Sequence, residues 1–304
     1  MSEIVTRTVA DGVAVLTLNR PERHNAWSVE LENRYYDLLR EAERDPDVRV
    51  VVVTGAGRSF CPGMDTAALA DQVATGISTN PHLRQPMTTP TRIAKPVIAA
   101  VNGACAGIGL IAALNCDLRF VSATAKLTTA FVQRGIMAEH GLAWTLPRLI
   151  GTSRALDLLL SGRVVLGEEA VALGLADRVF APAELMPKTL DYAKSLAANS
   201  SPVAMGTIKR QVYASWETSM EESRVTAIRF WMGHLRGHPD FKEGVESFLE
   251  KRPSLFEPWD PAMPAEPDPL PGNQPGRPGR DPSTGPSEQG HRNEWPGRKN
   301  PSDR

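Results

Sequence analysis

Cysteine is scarce in this sequence, with three residues among 304. Cys61, Cys105 and Cys116 lie in apolar or turn segments and lack the spacing of metal ligands or of a disulfide framework. We therefore expect three small, buried hydrophobic side chains in a reducing compartment, and no metal site.

An excess of charge of either sign is also missing, because the formal net charge is -1. Such a balance offers no broad basic surface to nucleic acid, so we expect no nucleic-acid partner. Partners have to be inferred from individual sites.

Long hydrophobic runs are rare as well. The start, MSEIVTRTVADGVAVL, carries acids and polar residues where a secretory signal needs a basic and then an apolar stretch, so we expect a cytoplasmic protein. The longest apolar stretch, 97–114, is interrupted by Asn102 and three glycines. This interruption favours a buried strand, a turn and a buried helix over a membrane span.

Strand and helix patterns alternate in the first third of the chain. Residues 13–20 are rich in β-branched side chains and end at a proline, which predicts a strand and a turn. Ser28 precedes an amphipathic helical pattern over 29–45, and 48–57 is a nearly continuous apolar strand. A strand this apolar is typical of a sheet covered on both faces, so the fold class is α/β.

Further segments are predicted in the same way. The patterns indicate a long loop lining a binding site over 66–93, strands over 95–103 and 116–122, two helices over 146–180, and a mainly helical stretch over 201–256.

The last part of the chain changes composition abruptly. After Phe256 there are twelve of the 25 prolines and no valine, isoleucine or phenylalanine. Such a segment cannot bury enough apolar area to offset chain ordering. We expect a core over 1–198, a helical region over 199–256 and a disordered tail over 257–304.

The glycine-rich segment TGAGRSF, residues 54–60, is a weak nucleotide-binding signal. Phe60 stands where a dinucleotide fingerprint needs its third glycine, and Pro62 follows at once. The Gly-Lys-Ser/Thr of a phosphate-binding loop is missing too, so neither kind of nucleotide site is predicted.

The segment GIMAEHGLAW, residues 135–144, places Glu139 beside His140 in an otherwise apolar run. A carboxyl group among apolar neighbours tends to keep its proton nearer neutral pH, which suits proton transfer. A Glu-His pair at a helix start is also typical of a solvated cap. The segment alone leaves both interpretations open.

Three motifs in order resemble the enoyl-CoA hydratase/isomerase family, the crotonase superfamily. They are RPERHNAWSVEL at 20–31, RSFCPGMDTAAL at 58–69 and KPVIAAVNGACAGIGLIAALNCD at 95–117, and the resemblance covers roughly 13–256. It implies a spiral of β-β-α turns with a C-terminal helical region that joins subunits into a homotrimer or hexamer. It also implies an acyl-CoA substrate, with coenzyme A as part of that substrate and no permanently bound cofactor.

By motif position, the resemblance implies that the backbone N–H groups of Met64 and Ile108 hold the thioester oxygen. Asp65 is expected to fix the first of these turns. Arg23 and Ala26 correspond to positions near the coenzyme A, and Lys251 resembles a position that approaches it, here or in an adjacent subunit.

The sequence departs from the family where hydratases carry two glutamates, because those positions hold Ile111 and Phe131. Neither side chain can carry a proton. Glu139 lies a few residues further on, where the resemblance implies the proton carrier of isomerase-like members, so a catalytic Glu139 is favoured. His140 could orient Glu139, act as a second acid or base, or face away, and we favour the last.

These patterns predict an acyl-CoA enzyme that hydrates an enoyl-CoA or moves its double bond, with Glu139 as proton carrier. Two alternatives remain: hydrolysis or carbon–carbon cleavage of a cyclic acyl-CoA, and a noncatalytic acyl-CoA-binding protein.

Overall fold

The computed structural model describes residues 3–65, 70 and 85–262. In chain order the strands are β1 (Val5–Ala10), β2 (Val13–Leu18), β3 (Val50–Gly55), β4 (Ser59–Cys61), β5 (Val97–Val101), β6 (Ala104–Ala106), β7 (Leu118–Ser122), β8 (Lys126–Thr128), β9 (Val165–Leu166) and β10 (Arg178–Phe180).

The helices follow the same convention. They are α1 (Val29–Arg44), α2 (Thr89–Arg92), α3 (Ile108–Leu114), α4 (Leu142–Ile150), α5 (Thr152–Ser161), α6 (Gly167–Leu173), α7 (Leu185–Asn199), α8 (Pro202–Ser215), α9 (Met220–Phe230) and α10 (Pro239–Glu250). Two single 3-10 turns, Pro21–Arg23 and Val132–Arg134, and a π-helical turn, Trp231–Leu235, complete the described elements.

The strands of the described part of the chain form two sheets. The larger has the order β1-β2-β3-β5-β7-β10 and the smaller the order β4-β6-β8-β9. β1–β2 and β8–β9 are antiparallel, and the other pairs are parallel. Each of β3, β5 and β7 is followed by a short strand in the smaller sheet. This repetition confirms the predicted spiral of β-β-α turns.

The valines of β3 show why the larger sheet is covered on both faces. Val51 and Val53 belong to the main core, which includes the apolar face of α1. Val50 and Val52 alternate with them and pack in a second core with Ala193 and Ala197 of α7. Side chains alternate across a strand, so one continuous apolar run serves two helical layers.

Helix α1 begins as the sequence predicts. The Ser28 hydroxyl accepts the N–H of Leu31 at 3.2 Å, and Glu30 lies in the positively polarised first turn.

The predicted order of elements is wrong between 146 and 180. Two helices were expected there, whereas the structure has α4, α5 and α6 together with β9 and β10. β9 contains two residues and gains its hydrogen bonds from β8. The predictions also omitted β1 and the short strands of the smaller sheet. Elements this short carry little periodicity of their own.

The described C-terminal part is helical, as predicted for 201–256, and its packing continues beyond Phe256. Trp259 is only 4% exposed. A Cβ on Gly206 would lie 3.0 Å from its ring, and Arg210 stacks over it at 5.5 Å. The predicted binding loop lies mostly outside the described residues, as does the predicted tail from residue 263 onward.

The loop before α1 is held by one buried side chain, Asn25. Its amide nitrogen donates to the carbonyls of Ala56 and Ser59 at 2.9 and 2.7 Å, and its oxygen accepts the N–H of Arg20. Its φ of 63° lies in the left-handed region, which asparagine and aspartate both tolerate. Asn25 therefore ties the 20–27 loop to the chain between β3 and β4.

Replacing Asn25 by aspartate should destabilise the fold by about 3 kcal/mol, because a carboxylate would face two carbonyl oxygens that lose their donor. Urea unfolding measures the difference. Asn33→Asp, at an exposed site in the first half of α1, is the matched control and should stay within about 0.5 kcal/mol of the parent. Equal effects of the two changes would contradict the assigned contacts.

The three cysteines are all buried, as predicted. Burial raises the pKa of Cys61 and of Cys116 to about 12, and it raises the pKa of Cys105 as well. The reactive thiolate is therefore a minor species at pH 8. A chromogenic disulfide reagent should detect no fast thiol in the folded protein at pH 8, and three thiols after denaturation. A fast thiol in the folded state would contradict this burial.

Candidate active site

A cavity of about 370 Å³ opens where β4 and β6 end, and the 20–27 loop and residues 129–139 complete its walls. The lining residues are Glu22, Arg23, His24, Ala26, Pro62, Gly63, Met64, Asp65, Gly107, Ile108, Thr129, Ala130, Phe131, Arg134, Ile136 and Glu139. The cavity brings together six of the eight predicted site residues.

The backbone around Met64 is fixed by a parallel bridge to Trp27. The Trp27 N–H donates to the Gly63 carbonyl at 2.7 Å, and the Asp65 N–H donates to the Trp27 carbonyl at 3.0 Å. In such a bridge the middle residue directs its own N–H and C=O to the opposite side. The Met64 N–H therefore points away from Trp27, and Met64 lines the cavity.

Ile108 is the first residue of α3, so its N–H has no acceptor within the helix. Gly107 before it has a φ of 53° and donates its own N–H to the Thr128 carbonyl at 3.1 Å. This conformation turns the chain from β6 into the helix. The cavity thus contains a helix N-terminus, which favours negative charge.

Gly109 allows the two turns to meet. A Cβ there would lie 2.1 Å from the carbonyl oxygen of Cys61. β4 and β6 pair through Cys61 and Cys105 just before the turns begin. Strand pairing and this close approach place Met64 and Ile108 in one cavity.

Asp65 is paired with a cation that sequence reasoning missed. The Arg20 guanidinium donates to Asp65 at 3.0 Å and to the Ala26 carbonyl at 2.8 Å. Asp65 is 8% exposed, so this ion pair links the Met64 turn to the 20–27 loop from a largely buried position. The bond joins residues 45 positions apart, and no local pattern signals it.

Glu139 lies in the cavity wall and is half-buried. Its carbonyl accepts the Leu142 N–H at 3.0 Å as α4 begins. The same cavity is lined by Phe131 and Ile136, which a backbone hydrogen bond of 3.0 Å joins. The wall that includes Glu139 therefore combines apolar residues with the basic side chain of Arg134.

His140 is exposed, has a φ of 50° and does not line this cavity, and its role stays a prediction. Phe131 lies in the cavity wall, whereas Ile111 is 1% exposed in the core.

The predicted coenzyme A contacts divide into two groups. Arg23 and Ala26 line the cavity. Lys251 ends α10 in the left-handed conformation, is exposed and does not line this cavity. A contact from Lys251 to the cavity of an adjacent subunit stays a prediction.

Ten of the 16 lining residues were not among the predicted site residues, and four of these ten have polar side chains: Glu22, His24, Thr129 and Arg134. Arg134 donates to the Ala130 carbonyl at 2.7 Å and ends the 3-10 turn before Glu139. Within the described ranges, no group of three or more His, Cys, Asp or Glu is placed to hold a metal ion. Nor does any described helix combine the length and apolar character needed to cross a bilayer.

The family model for enoyl-CoA hydratase/isomerase matches residues 8–258. The chain belongs to that family. The 1,2-epoxyphenylacetyl-CoA isomerase of Escherichia coli (strain K12) is 33% identical over 264 residues, covering 84% of this chain and 99% of the relative. The (E)-benzylidenesuccinyl-CoA hydratase of Thauera aromatica is 34% identical over 253 residues, covering 83% and 98%.

Solved structures of this family share the fold. An enoyl-CoA hydratase of Bacillus anthracis matches with a TM-score of 0.77 at 29% identity, covering 84% of this chain and 99% of that one. An enoyl-CoA hydratase of Mycobacterium marinum is 44% identical, with a TM-score of 0.62 and coverage of 71% and 100%. The predicted family and crotonase fold are confirmed, and the activity is of the acyl-CoA hydratase/isomerase type.

This member of the enoyl-CoA hydratase/isomerase family has a second cavity, of about 560 Å³. Its lining residues are Thr88, Thr91, Arg92, Leu114, Asn115, Gly141, Trp144, Thr145, Tyr213, Trp216 and Glu217. Trp216 meets Trp144 edge to face with ring centroids 5.1 Å apart, and it meets Tyr213 at 5.3 Å. The sequence pattern did not predict that these three aromatic residues lie together.

The Tyr213 hydroxyl donates to Asp117 at 2.9 Å, and Asp117 also pairs with the buried Lys209 at 2.7 Å. Burial raises the pKa of Tyr213, and the negative charge of Asp117 raises it further, so the phenol stays protonated as a donor. This network fixes one aromatic wall of the cavity.

Gly109→Ala should destabilise the protein by about 3 kcal/mol, because the added Cβ forces α3 away from the Cys61 carbonyl. Turnover of an acyl-CoA substrate should fall by about 100-fold, since the two turns separate. Urea unfolding and steady-state kinetics measure the two effects.

Gly244→Ala, within α10, is the matched control. A Cβ at this position would lie 3.7 Å from the nearest atom, on the Phe256 ring, which is ordinary van der Waals contact. The substitution should stabilise the protein by about 0.5 kcal/mol and leave turnover unchanged. A Gly109→Ala variant with parental stability and turnover would contradict the described contact.

Proposed function

We propose that this protein transfers a proton within an enoyl-CoA through one carboxyl group, Glu139, while Met64 and Ile108 hold the thioester oxygen by their N–H groups. The observation that carries the proposal is the shared cavity, which has a bridged turn and a helix N-terminus together with Glu139 in its wall. The reaction is isomerisation of the double bond or hydration across it.

The backbone donors act on the charge that develops during reaction. Removal of a proton next to the thioester moves an electron pair onto the thioester oxygen. An N–H group aimed at that oxygen contributes about 3 kcal/mol to the charged transition state. The side chains of Met64 and Ile108 play no part in this step, so apolar residues can occupy both positions.

Glu139 supplies the proton chemistry in this proposal. Its carboxylate removes a proton from one carbon, and the resulting carboxylic acid returns a proton to another carbon, so isomerisation leaves the substrate's composition unchanged. Among the described lining residues the other carboxyl groups are Glu22 and Asp65. Asp65 pairs with Arg20 and Glu22 is exposed, which supports Glu139 as the acid.

The apolar residues at the two hydratase positions favour one acid over two. Neither Ile111 nor Phe131 can bind a water molecule or exchange a proton. In the same proposal Arg23 and Ala26 contact the coenzyme A, Lys251 approaches it, and the protein works as a homotrimer or hexamer in the cytoplasm. Coenzyme A enters only as part of the substrate, and His140 takes no proton.

Glu139→Gln should lower kcat by about 10²–10⁴-fold while acyl-CoA binding stays near the parent value, because the amide keeps the shape but cannot carry the proton. Steady-state kinetics on a panel of enoyl-CoAs, with binding measured by calorimetry, tests both statements. Reaction in deuterated water with mass analysis separates isomerisation from hydration and from thioester hydrolysis.

Glu22→Gln is the comparison within the same cavity and should retain turnover. Parental turnover in Glu139→Gln removes Glu139 from the mechanism. Binding of every acyl-CoA without turnover in the parent protein supports a noncatalytic role instead.

A further inference from the structure

We propose that the second cavity binds an aryl group at the far end of the acyl chain, and that Trp144 and Trp216 are its specificity-determining residues. This inference rests on the proposed function, because the acyl chain must begin at the thioester site formed by Met64 and Ile108.

Helix α3 lies between the two cavities along the chain direction. Its first residue, Ile108, lines the cavity of the candidate active site, whereas its last residue, Leu114, and the following Asn115 line the second cavity. Six helical steps correspond to about 9 Å. The two cavities therefore lie at opposite ends of one short, buried helix, a separation that a few carbons of an acyl chain would span.

The segment before α4 gives a second link between the cavities. Glu139 lines the first cavity and Gly141 lines the second, with only His140 between them in the chain. Two separate segments thus contribute to both cavities. Proton transfer at Glu139 and binding of the distal acyl group would occur on either side of one short loop.

The second cavity is walled by aromatic rings from two distant parts of the chain. Trp144 lies on α4, Tyr213 lies on α8, and Trp216 follows α8 and contacts both rings edge to face. Arg148 stacks over the Trp144 ring at 3.9 Å. Rings in this arrangement favour a flat π system over a flexible alkyl chain of similar area.

The aromatic wall is pre-ordered and still accessible. Tyr213 is anchored through Asp117 to the buried Lys209, so binding has little ordering of that ring to oppose it. Trp144 remains 38% exposed although it packs against Trp216. The volume of about 560 Å³ lies in the range of small-molecule sites.

The test compares binding of unreactive saturated thioesters. Calorimetry with acetyl-CoA, hexanoyl-CoA and 4-phenylbutanoyl-CoA measures what the distal group adds without depending on turnover. We expect 4-phenylbutanoyl-CoA to bind at least about tenfold more tightly than acetyl-CoA and more tightly than hexanoyl-CoA.

The variants Trp144→Leu and Trp216→Leu should each lose most of this aryl preference, by about tenfold, with acetyl-CoA affinity changed less than about twofold. Trp144→Phe and Trp216→Phe, which keep a ring, should retain most of it. Trp231→Leu is the control, because Trp231 is also 38% exposed and lines neither cavity. Circular dichroism and size-exclusion chromatography verify that each variant is folded.

The outcomes separate this inference from the proposed function. Binding of acetyl-CoA without any aryl gain, or an aryl gain that survives both leucine changes, overturns the inference and leaves the proposed function intact. An equal gain for hexanoyl-CoA that both leucine variants lose overturns the aryl preference in favour of a general apolar pocket. Failure of all three thioesters to bind overturns both proposals.

Discussion

The candidate active site depends on the close contact between helix α3 and the turn after β4. No side chain fits at Gly109, because the carbonyl oxygen of Cys61 occupies that space. The contact places a helix N-terminus beside a turn whose N–H groups are oriented by the bridge from Trp27. Both strands that lead into it belong to the smaller sheet, so the spiral of the fold and the geometry of the site have the same origin.

The proposed mechanism separates positioning of the substrate from proton transfer. The main chain at Met64 and Ile108 offers fixed dipoles, whose strength does not depend on the side chains present. Arg20 neutralises Asp65 beside that turn, and Phe131 makes part of the wall apolar. In the proposed mechanism the proton transfer falls to Glu139, a half-buried acid in the wall, which fits the apolar residues at positions 111 and 131.

The two cavities are lined by different parts of the chain. Segments before residue 117 supply most of the lining of the first cavity and residues 129–139 complete it, whereas α4 and α8 carry aromatic residues that line the second cavity. Asp117 ties the Tyr213 wall of the second cavity to the larger sheet, because it accepts the Val97 N–H of β5 at 2.7 Å and the Tyr213 hydroxyl at 2.9 Å. In the two proposals the reacting end and the far end of a substrate bind on either side of this shared framework.

The sequence by itself determined what depends on neighbours along the chain. Ser28 and the apolar stripe behind it predicted α1, the valine run predicted a strand buried on both faces, and the motif order indicated the family and three central site residues. Only the tertiary structure decided the short strands of the smaller sheet, the pairing of Arg20 with Asp65 and the meeting of Trp144 with Trp216. Such elements and pairs are stabilised by contacts between segments that are distant along the chain. A local sequence pattern cannot predict those contacts.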